Sequence, residues 1–232
     1  YIIGTVLPKG LSLFALPLAA ERLRFFGMAT EEARELDLTT REGGLTAFDL
    51  IAIGSTICVR MDQGQMQAVV GREGVPLFGS DFPIEPARGY VVNMLEDIAI
   101  DIEGPPFGAR LAAPSQDAAP GENWAFVVAG NVGDGIHVPT GTRVRIRSGE
   151  RVVTTPVTAA GAFLTAFVDS TASASVVSGE EALLIDAVAA GGYLLGGARP
   201  ERVTGVELRD AFKVVTLDFR PTRAQLLPNY PN

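Results

Sequence analysis

Apolar and polar residues alternate one by one along much of the chain, which is the pattern of half-buried β-strands. Residues 97–103 show it most clearly: Ile98, Ile100 and Ile102 share one face, while acidic residues and Ala99 occupy the other. Continuous helical periodicity is rare by comparison. The pattern therefore predicts a mainly β protein.

Short polar turns join two pairs of these predicted strands. Residues 142–147 alternate with their arginines outward, and Ser148-Gly149-Glu150 then form a tight turn into residues 151–155. The run Met61-Asp62-Gln63-Gly64-Gln65-Met66 has the same character. Both stretches are predicted to be β-hairpins.

Helical signals are few and short. Thr46 is a favourable N-cap for residues 47–52, and Gly54 provides a stop. Thr30 is a weaker candidate cap for a helix over residues 31–36. The predicted fold class is therefore all-β, with one or two short helices.

A change in composition divides the chain. Residues 105–121 are rich in Pro and Ala and lack periodicity, as expected of a linker or a strap over a surface. We therefore predict two β-sandwich-like domains, at 1–104 and 122–220. An extended C-terminal tail is predicted at 221–232.

Composition limits the partners. The chain is 47% hydrophobic and 20% charged, with a net charge of -8 and only two lysines, Lys9 and Lys213. A nucleic-acid partner needs clustered basic residues, so none is expected. The apolar run at residues 11–20 is too short to span a bilayer and is interrupted by Pro17, so no membrane insertion is expected either.

The residues that most often carry catalysis are scarce. Cys58 is the only cysteine, on a predicted strand where a packed thiol is expected. His137 is the only histidine, in a Gly/Pro-rich loop, and no nucleophile-elbow motif occurs. Asn131 and Asp134 suit a turn better than a calcium loop. We therefore predict no enzyme activity, no catalytic residue, no metal site and no cofactor.

Other polar and aromatic candidates have structural interpretations. Asp101 and Glu103 are explained as the solvated face of a strand, which weakens a glycosidase reading based on paired carboxylates. Arg88 is able to pair with Glu85 beside a packed Tyr90, in a stretch where Gly89 permits a bulge. Trp124 is expected to anchor a core.

The end of the chain carries a resemblance. The run Leu227-Pro228-Asn229-Tyr230-Pro231-Asn232 resembles the opening of the C-terminal sorting domain of the bacterial type IX secretion system. This resemblance implies an exported bacterial protein, extracellular or at the cell surface. It implies no activity.

Two further resemblances cover most of the rest. Leu45-Thr46-Ala47, Ile53-Gly54 and the run from Phe82 to Asn93 resemble a module of large secreted bacterial proteins. The region that begins at Trp124 and includes residues 138–142 and 161–169 resembles immunoglobulin-like or prealbumin-like sandwiches. These resemblances imply architecture rather than chemistry.

Together these features predict an extracellular structural protein, a self-assembling subunit of a filament, sheath or layer joined by strand addition. Copies of the same chain are the expected partners. The candidate contact residues lie in the extended segments at residues 1–7 and 225–232: Tyr1, Ile2, Ile3, Val6, Leu226, Leu227 and Tyr230. The alternative is an adhesive or carbohydrate-binding module that recognises a surface glycan.

Overall fold

The structure is a computed structural model, and it describes residues 1–16, 19–27, 34–41, 43–62, 65–86, 88–105, 123–133, 138–169, 175–180, 182–192, 194–195 and 198–218. Sixteen strands and two short helices lie within these ranges. The predicted all-β, sandwich-like class is confirmed.

The first half of the chain forms nine strands and one helix. In chain order these are β1 (Ile2–Leu7), β2 (Gly10–Phe14), β3 (Arg22–Gly27), β4 (Arg34–Asp37), α1 (Ala47–Ala52), β5 (Ser55–Asp62), β6 (Gln65–Arg72), β7 (Val75–Phe78), β8 (Tyr90–Met94) and β9 (Ile98–Glu103).

These strands build two antiparallel sheets. The first sheet has the order β1-β9-β3-β4, and the second sheet has the order β2-β8-β5-β6-β7. The sheets enclose a buried cluster that includes Leu23, Ile100 and Ile102 from the first sheet and Tyr90 and Val92 from the second. This is a two-sheet sandwich, in which α1 also contributes to the core.

The second half forms seven strands and one helix. These are β10 (Ala125–Val132), β11 (Arg143–Ser148), β12 (Arg151–Pro156), β13 (Ala162–Val168), β14 (Ala182–Val188), β15 (Arg199–Arg202), α2 (Gly205–Asp210) and β16 (Phe212–Leu217).

A third and a fourth sheet arise from these strands. The third sheet has the order β13-β10-β16, with β10 and β16 parallel, and the fourth sheet has the order β12-β11-β14-β15. Their facing side chains, such as Phe126 and Phe163 against Ile146 and Ile185, form a second buried cluster.

A third cluster joins the two halves. Ile57, Val59 and Val70 of the second sheet pack with Val127 and Phe212 of the third sheet. The four sheets therefore stack in order, because successive residues of β5, β6 and β10 point to opposite faces and both faces are buried. Among the described residues, strands pair only within 1–104 or within 123–218. The predicted domain boundaries stay a prediction, and residues 106–122 and 219–232 lie outside the described residues.

The local predictions had different outcomes. Both hairpins are present, with β5 paired to β6 and β11 paired to β12. Helix α1 begins after Thr46 in a complete capping box. The helix predicted over 31–36 is wrong for residues 34–36, which lie in β4. There, Leu36 pairs with Leu23 and packs on the core, so tertiary pairing overrides a weak helical propensity.

Candidate assembly surface

The N-terminal segment is a strand of the chain's own first sheet. β1 pairs along its whole length with β9, from Ile2 opposite Glu103 to Leu7 opposite Ile98. The ladder extends one residue further, because the amino group of Tyr1 donates to the Gly104 carbonyl at 3.1 Å and the Gly104 amide donates to the Tyr1 carbonyl at 3.0 Å. Residues 1–7 are therefore not a free arm in this conformation.

The other side of β1 is an open edge, since β1 is the terminal strand of the sheet order. In an antiparallel ladder, every second residue directs its N–H and C=O groups at the partner strand. The two reciprocal hydrogen bonds between Tyr1 and Gly104 show which residues these are. The backbone N–H and C=O groups of Ile3, Thr5 and Leu7 point toward β9. The backbone groups of Ile2, Gly4 and Val6 point away from the sheet.

Apolar side chains surround this edge. Tyr1 is 80% exposed, Ile2 is 66% exposed and Val6 is 52% exposed, and Ile3 is also exposed. On the outer face, Val6 lies in one row with Ala99 and the exposed Phe26. The four N-terminal contact candidates, Tyr1, Ile2, Ile3 and Val6, are therefore all exposed at the β1 edge. Val6 also belongs to an apolar row on the outer face of the sheet.

Several other edge strands carry the features that usually discourage strand addition. The outermost strand at the far side of the first sheet is β4, with the sequence Arg-Glu-Leu-Asp, and the fourth sheet ends in β15, with Arg-Pro-Glu-Arg. Edge strand β7 contains Pro76. Charges and prolines on an edge oppose pairing with another strand. β1 contains neither, and its sequence is Ile-Ile-Gly-Thr-Val-Leu.

The C-terminal contact candidates Leu226, Leu227 and Tyr230 lie outside the described residues. Their role stays a prediction from the sequence.

The aromatic candidates for ligand binding are buried. Tyr90 is fully buried, its hydroxyl accepts a hydrogen bond from the Glu85 amide at 2.7 Å, and its ring stacks on Phe82. Arg88 pairs with both Glu85 and Asp62. Trp124 is also buried. The structural interpretations of Tyr90 and Trp124 are confirmed.

The packed thiol is confirmed too. Cys58 is fully buried in the core between the first and second sheets, on the side of β5 opposite Ile57 and Val59. Burial raises the pKa of the Cys58 thiol far above its ordinary value, so the thiolate is suppressed. His137 and Asp134 lie outside the described residues. The turn predicted at Asn131 is wrong, because Asn131 lies in β10 and pairs with Ala162 and Thr216.

Two surface cavities offer limited chemistry. One, of about 300 Å³, is lined by Glu21 and Glu85 among Pro, Gly, Ala and aliphatic residues. The other, of about 590 Å³, lies beside the β11–β12 turn and is lined by Ser148, Glu150 and Arg151, among others. Within the described ranges, no group of three or more His, Cys, Asp or Glu is arranged to hold a metal ion. No helix in this part of the chain has the length and apolar character needed to cross a membrane.

Neither the start of α2 nor the polar contact at its end, which joins the two halves, was predicted from the sequence. Thr204 and Glu207 form a capping box that begins α2, and the Thr-x-x-Glu spacing was a usable signal for it. At the end of α2, Asp210 meets Arg72 of β6. No sequence signal relates these two residues, which are far apart along the chain.

Comparisons of the chain with protein-family models, with curated proteins and with solved structures found no match.

Proposed function

We propose that this chain is an extracellular structural protein of the bacterial surface, and that copies assemble into a filament, sheath or layer by adding strands to one another's sheets. The observation that carries the proposal is the edge of β1, where outward backbone groups lie beside exposed apolar side chains and no charge or proline protects them. The tail's resemblance to a type IX sorting signal supports the extracellular location.

β1 is the acceptor in this proposal. The donor is the C-terminal tail of a neighbouring copy, which would lie along β1 and extend the first sheet by one strand. Pro228 has no N–H, but an added strand donates only from every second residue. Pairing through Leu227 and Asn229 therefore leaves Pro228 on the outer side, where proline is tolerated.

Such a joint is head-to-tail, and it generates a fibre when the rotation between copies does not close a ring. Its stability has two sources. The main-chain ladder satisfies the open groups of Ile2, Gly4 and Val6. Apolar side chains at the edge are also removed from water, which stabilises the joint by roughly 1.5–3 kcal/mol for each aliphatic side chain that becomes fully buried.

The decisive experiment removes one outward N–H without disturbing the home ladder. Val6→Pro deletes an amide that points away from β9, so the monomer should fold while polymers joined through the β1 edge are lost. Val6→Thr keeps the amide and a β-branched side chain, and should assemble nearly as the native chain does. Electron microscopy and sedimentation velocity provide the measurement. Polymers of Val6→Pro indistinguishable from the native ones would remove β1 from the joint.

A peptide identifies the donor. A synthetic peptide covering residues 223–230 should compete for the β1 edge and shorten the polymers, whereas a scrambled peptide should not. If neither peptide has an effect while Val6→Pro still blocks assembly, the acceptor is right and the donor is another segment.

The adhesive or carbohydrate-binding alternative has less support. It needs an exposed aromatic platform, yet Tyr90 and Trp124 are buried. Among the described residues, the aromatic side chains counted as exposed are those of Tyr1, at the β1 edge, and Phe26, in the same sheet. A glycan array separates the two proposals, because specific binding that survives Tyr1→Ala and Phe26→Ala would favour a glycan site elsewhere.

A further inference from the structure

The two ends of the four-sheet stack present different charges. On the outer face of the fourth sheet, β11 carries three arginines at alternate positions, and β15 adds a fourth in the same plane: Arg143, Arg145, Arg147 and Arg202. Asp186 of β14 is the one carboxylate among the residues paired on this face. This end is therefore basic, although the whole chain has a net charge of -8.

Asp186 neutralises only part of this face. It is buried, and its two carboxylate oxygens share the single Nε–H of Arg145, at 3.0 and 3.2 Å, while Oδ2 also accepts from Nη2 of the same residue at 2.8 Å. Arg147 reaches Asp186 only at 3.6 Å, and its buried Nε has no hydrogen-bond partner within the described structure. Arg143 is exposed at the end of the row. The face therefore has guanidinium N–H groups that remain able to donate to carboxylates of another molecule.

The opposite end of the stack supplies carboxylates in a similar arrangement. On the outer face of the first sheet, four acidic residues lie at alternate positions of two strands: Asp101 and Glu103 on β9, and Glu35 and Asp37 on β4. Between them, β3 carries Arg22 and Arg24, and Arg24 pairs with Glu35 at 3.4 Å. Carboxylates outnumber guanidinium groups on this face.

We propose that the arginine face of the fourth sheet docks on the acidic face of the first sheet of a second copy. This inference rests on the proposed self-assembly and assigns it a second contact, distinct from the β1 edge. The occupant is another copy of this chain, because the complementary charge is present at the other end of the same molecule.

The geometry of β-sheets favours such stacking. Alternate residues repeat at about 6.8 Å along any strand, and neighbouring strands lie about 4.8 Å apart, so rows of arginines and rows of carboxylates on two aligned sheets have matching spacings. Sheets pack about 10 Å apart, a gap that arginine side chains can span. The chain already stacks its second sheet on its third in this way, with apolar contacts.

The contact is heterologous, so it propagates into an open stack when the rotation between copies does not close a ring. It runs along the stack, whereas strand addition at β1 extends a sheet sideways. A copy that uses both contacts is part of a layer, and a copy that uses one is part of a filament.

The test uses the full-length chain with Val6→Pro, so that the strand joint is blocked and any remaining association reports stacking. At about 0.05 M salt this chain should form oligomers, and about 0.5 M salt should dissolve them, because screening shortens the range of the ion pairs. In this Val6→Pro background, a second substitution, either Glu103→Lys or Arg143→Glu, should weaken association by about tenfold or more. Sedimentation velocity measures the effect. Asp101→Lys provides a second, independent reversal on the acidic face.

A mixture gives the sharpest readout. The Glu103→Lys chain has an altered acidic face, and the Arg143→Glu chain has an altered arginine face, so an equimolar mixture restores opposite charges at the altered joint. Association should return in the mixture. Glu73→Lys is the matched control, because it makes the same charge change in the exposed β6–β7 turn, away from both faces.

The outcomes separate the two proposals. A Val6→Pro chain that stays monomeric at low salt, or that associates regardless of both reversals, overturns the stacking contact alone. Native and Val6→Pro chains that assemble identically overturn the edge joint, and the charge reversals still decide the stacking contact.

Discussion

Arg72 of β6 donates from its Nε to a carboxylate oxygen of Asp210 at 2.7 Å, and this pair joins the two halves of the molecule. The Asp210 side chain is fully buried and also accepts from the Nε of Arg209 at 2.9 Å. Around the pair, Thr56 donates to the backbone carbonyl of Asp210 at 2.6 Å, and Asn93 donates to that of Arg209 at 3.0 Å. The contact between the halves is therefore polar as well as apolar.

Asp210→Asn should lower the free energy of unfolding by about 2 kcal/mol, because it removes the charge that satisfies two guanidinium groups at a buried position. Asp218→Asn is the matched control at an exposed position after β16, and should change stability by less than about 0.5 kcal/mol. Urea unfolding followed by circular dichroism measures both. Equal stabilities for the two variants would contradict a joining role for the carboxylate.

Amide hydrogen exchange should alternate along β1. In dilute monomer, the amides of Ile3 and Thr5 should exchange slowly because they donate to β9, while those of Gly4 and Val6 should exchange fast because they face solvent. Assembly should protect Gly4 and Val6 as well. Uniform protection in the monomer would mean that another segment already covers this edge, and unchanged exchange after assembly would exclude it as a joint.

Glu207 should make stability depend on pH. Burial raises its pKa, but hydrogen bonds from Lys213 and Thr204 lower it by more, so the pKa in the folded state lies below the ordinary value of 4.5. Because the unfolded state then binds the proton more readily, Glu207 stabilises the fold above pH 4.5, and this contribution disappears as the pH falls through the folded pKa.

Glu207→Gln should therefore cost about 1 kcal/mol at neutral pH, through the weakened cap and the lost charge pair with Lys213. It should also flatten the fall in stability in the acidic range. Denaturant titrations at several pH values check this. Parallel stability curves for the variant and the native chain would show that Glu207 has no role in the acid transition.

Cys58 should resist modification while the chain is folded, since the thiol is buried and its thiolate is disfavoured. A disulfide reagent should react with it only in denaturant, and the rate in native buffer should follow global unfolding. Cys58→Ala should keep the fold at a cost of about 1 kcal/mol from the smaller side chain. Rapid labelling of the native chain would place the thiol at the surface and contradict the packing.

Local signals in the sequence located many of the elements. β9 was predicted by the alternation of Ile98, Ile100 and Ile102. The β11–β12 hairpin was predicted by its turn at Gly149 and Glu150, and α1 was predicted by its Thr46 cap. Each depends on residues a few positions apart, where side-chain direction and turn chemistry are decided by the local backbone. The apolar, extended character of residues 1–7 was visible in the same way.

Tertiary structure alone decided how these elements are arranged. β1 and β2 are neighbours in sequence, yet they enter different sheets, and β10 takes β16 as a parallel partner across most of the second half. From the sequence, residues 1–7 were predicted to pair with a neighbouring copy. In the fold, one side of β1 pairs with β9 and the other side is open. Arg72 and Asp210 meet for the same reason. Alternation shows that a strand has two faces, but which strand, sheet or copy covers each face depends on contacts between distant residues, and no local pattern records them.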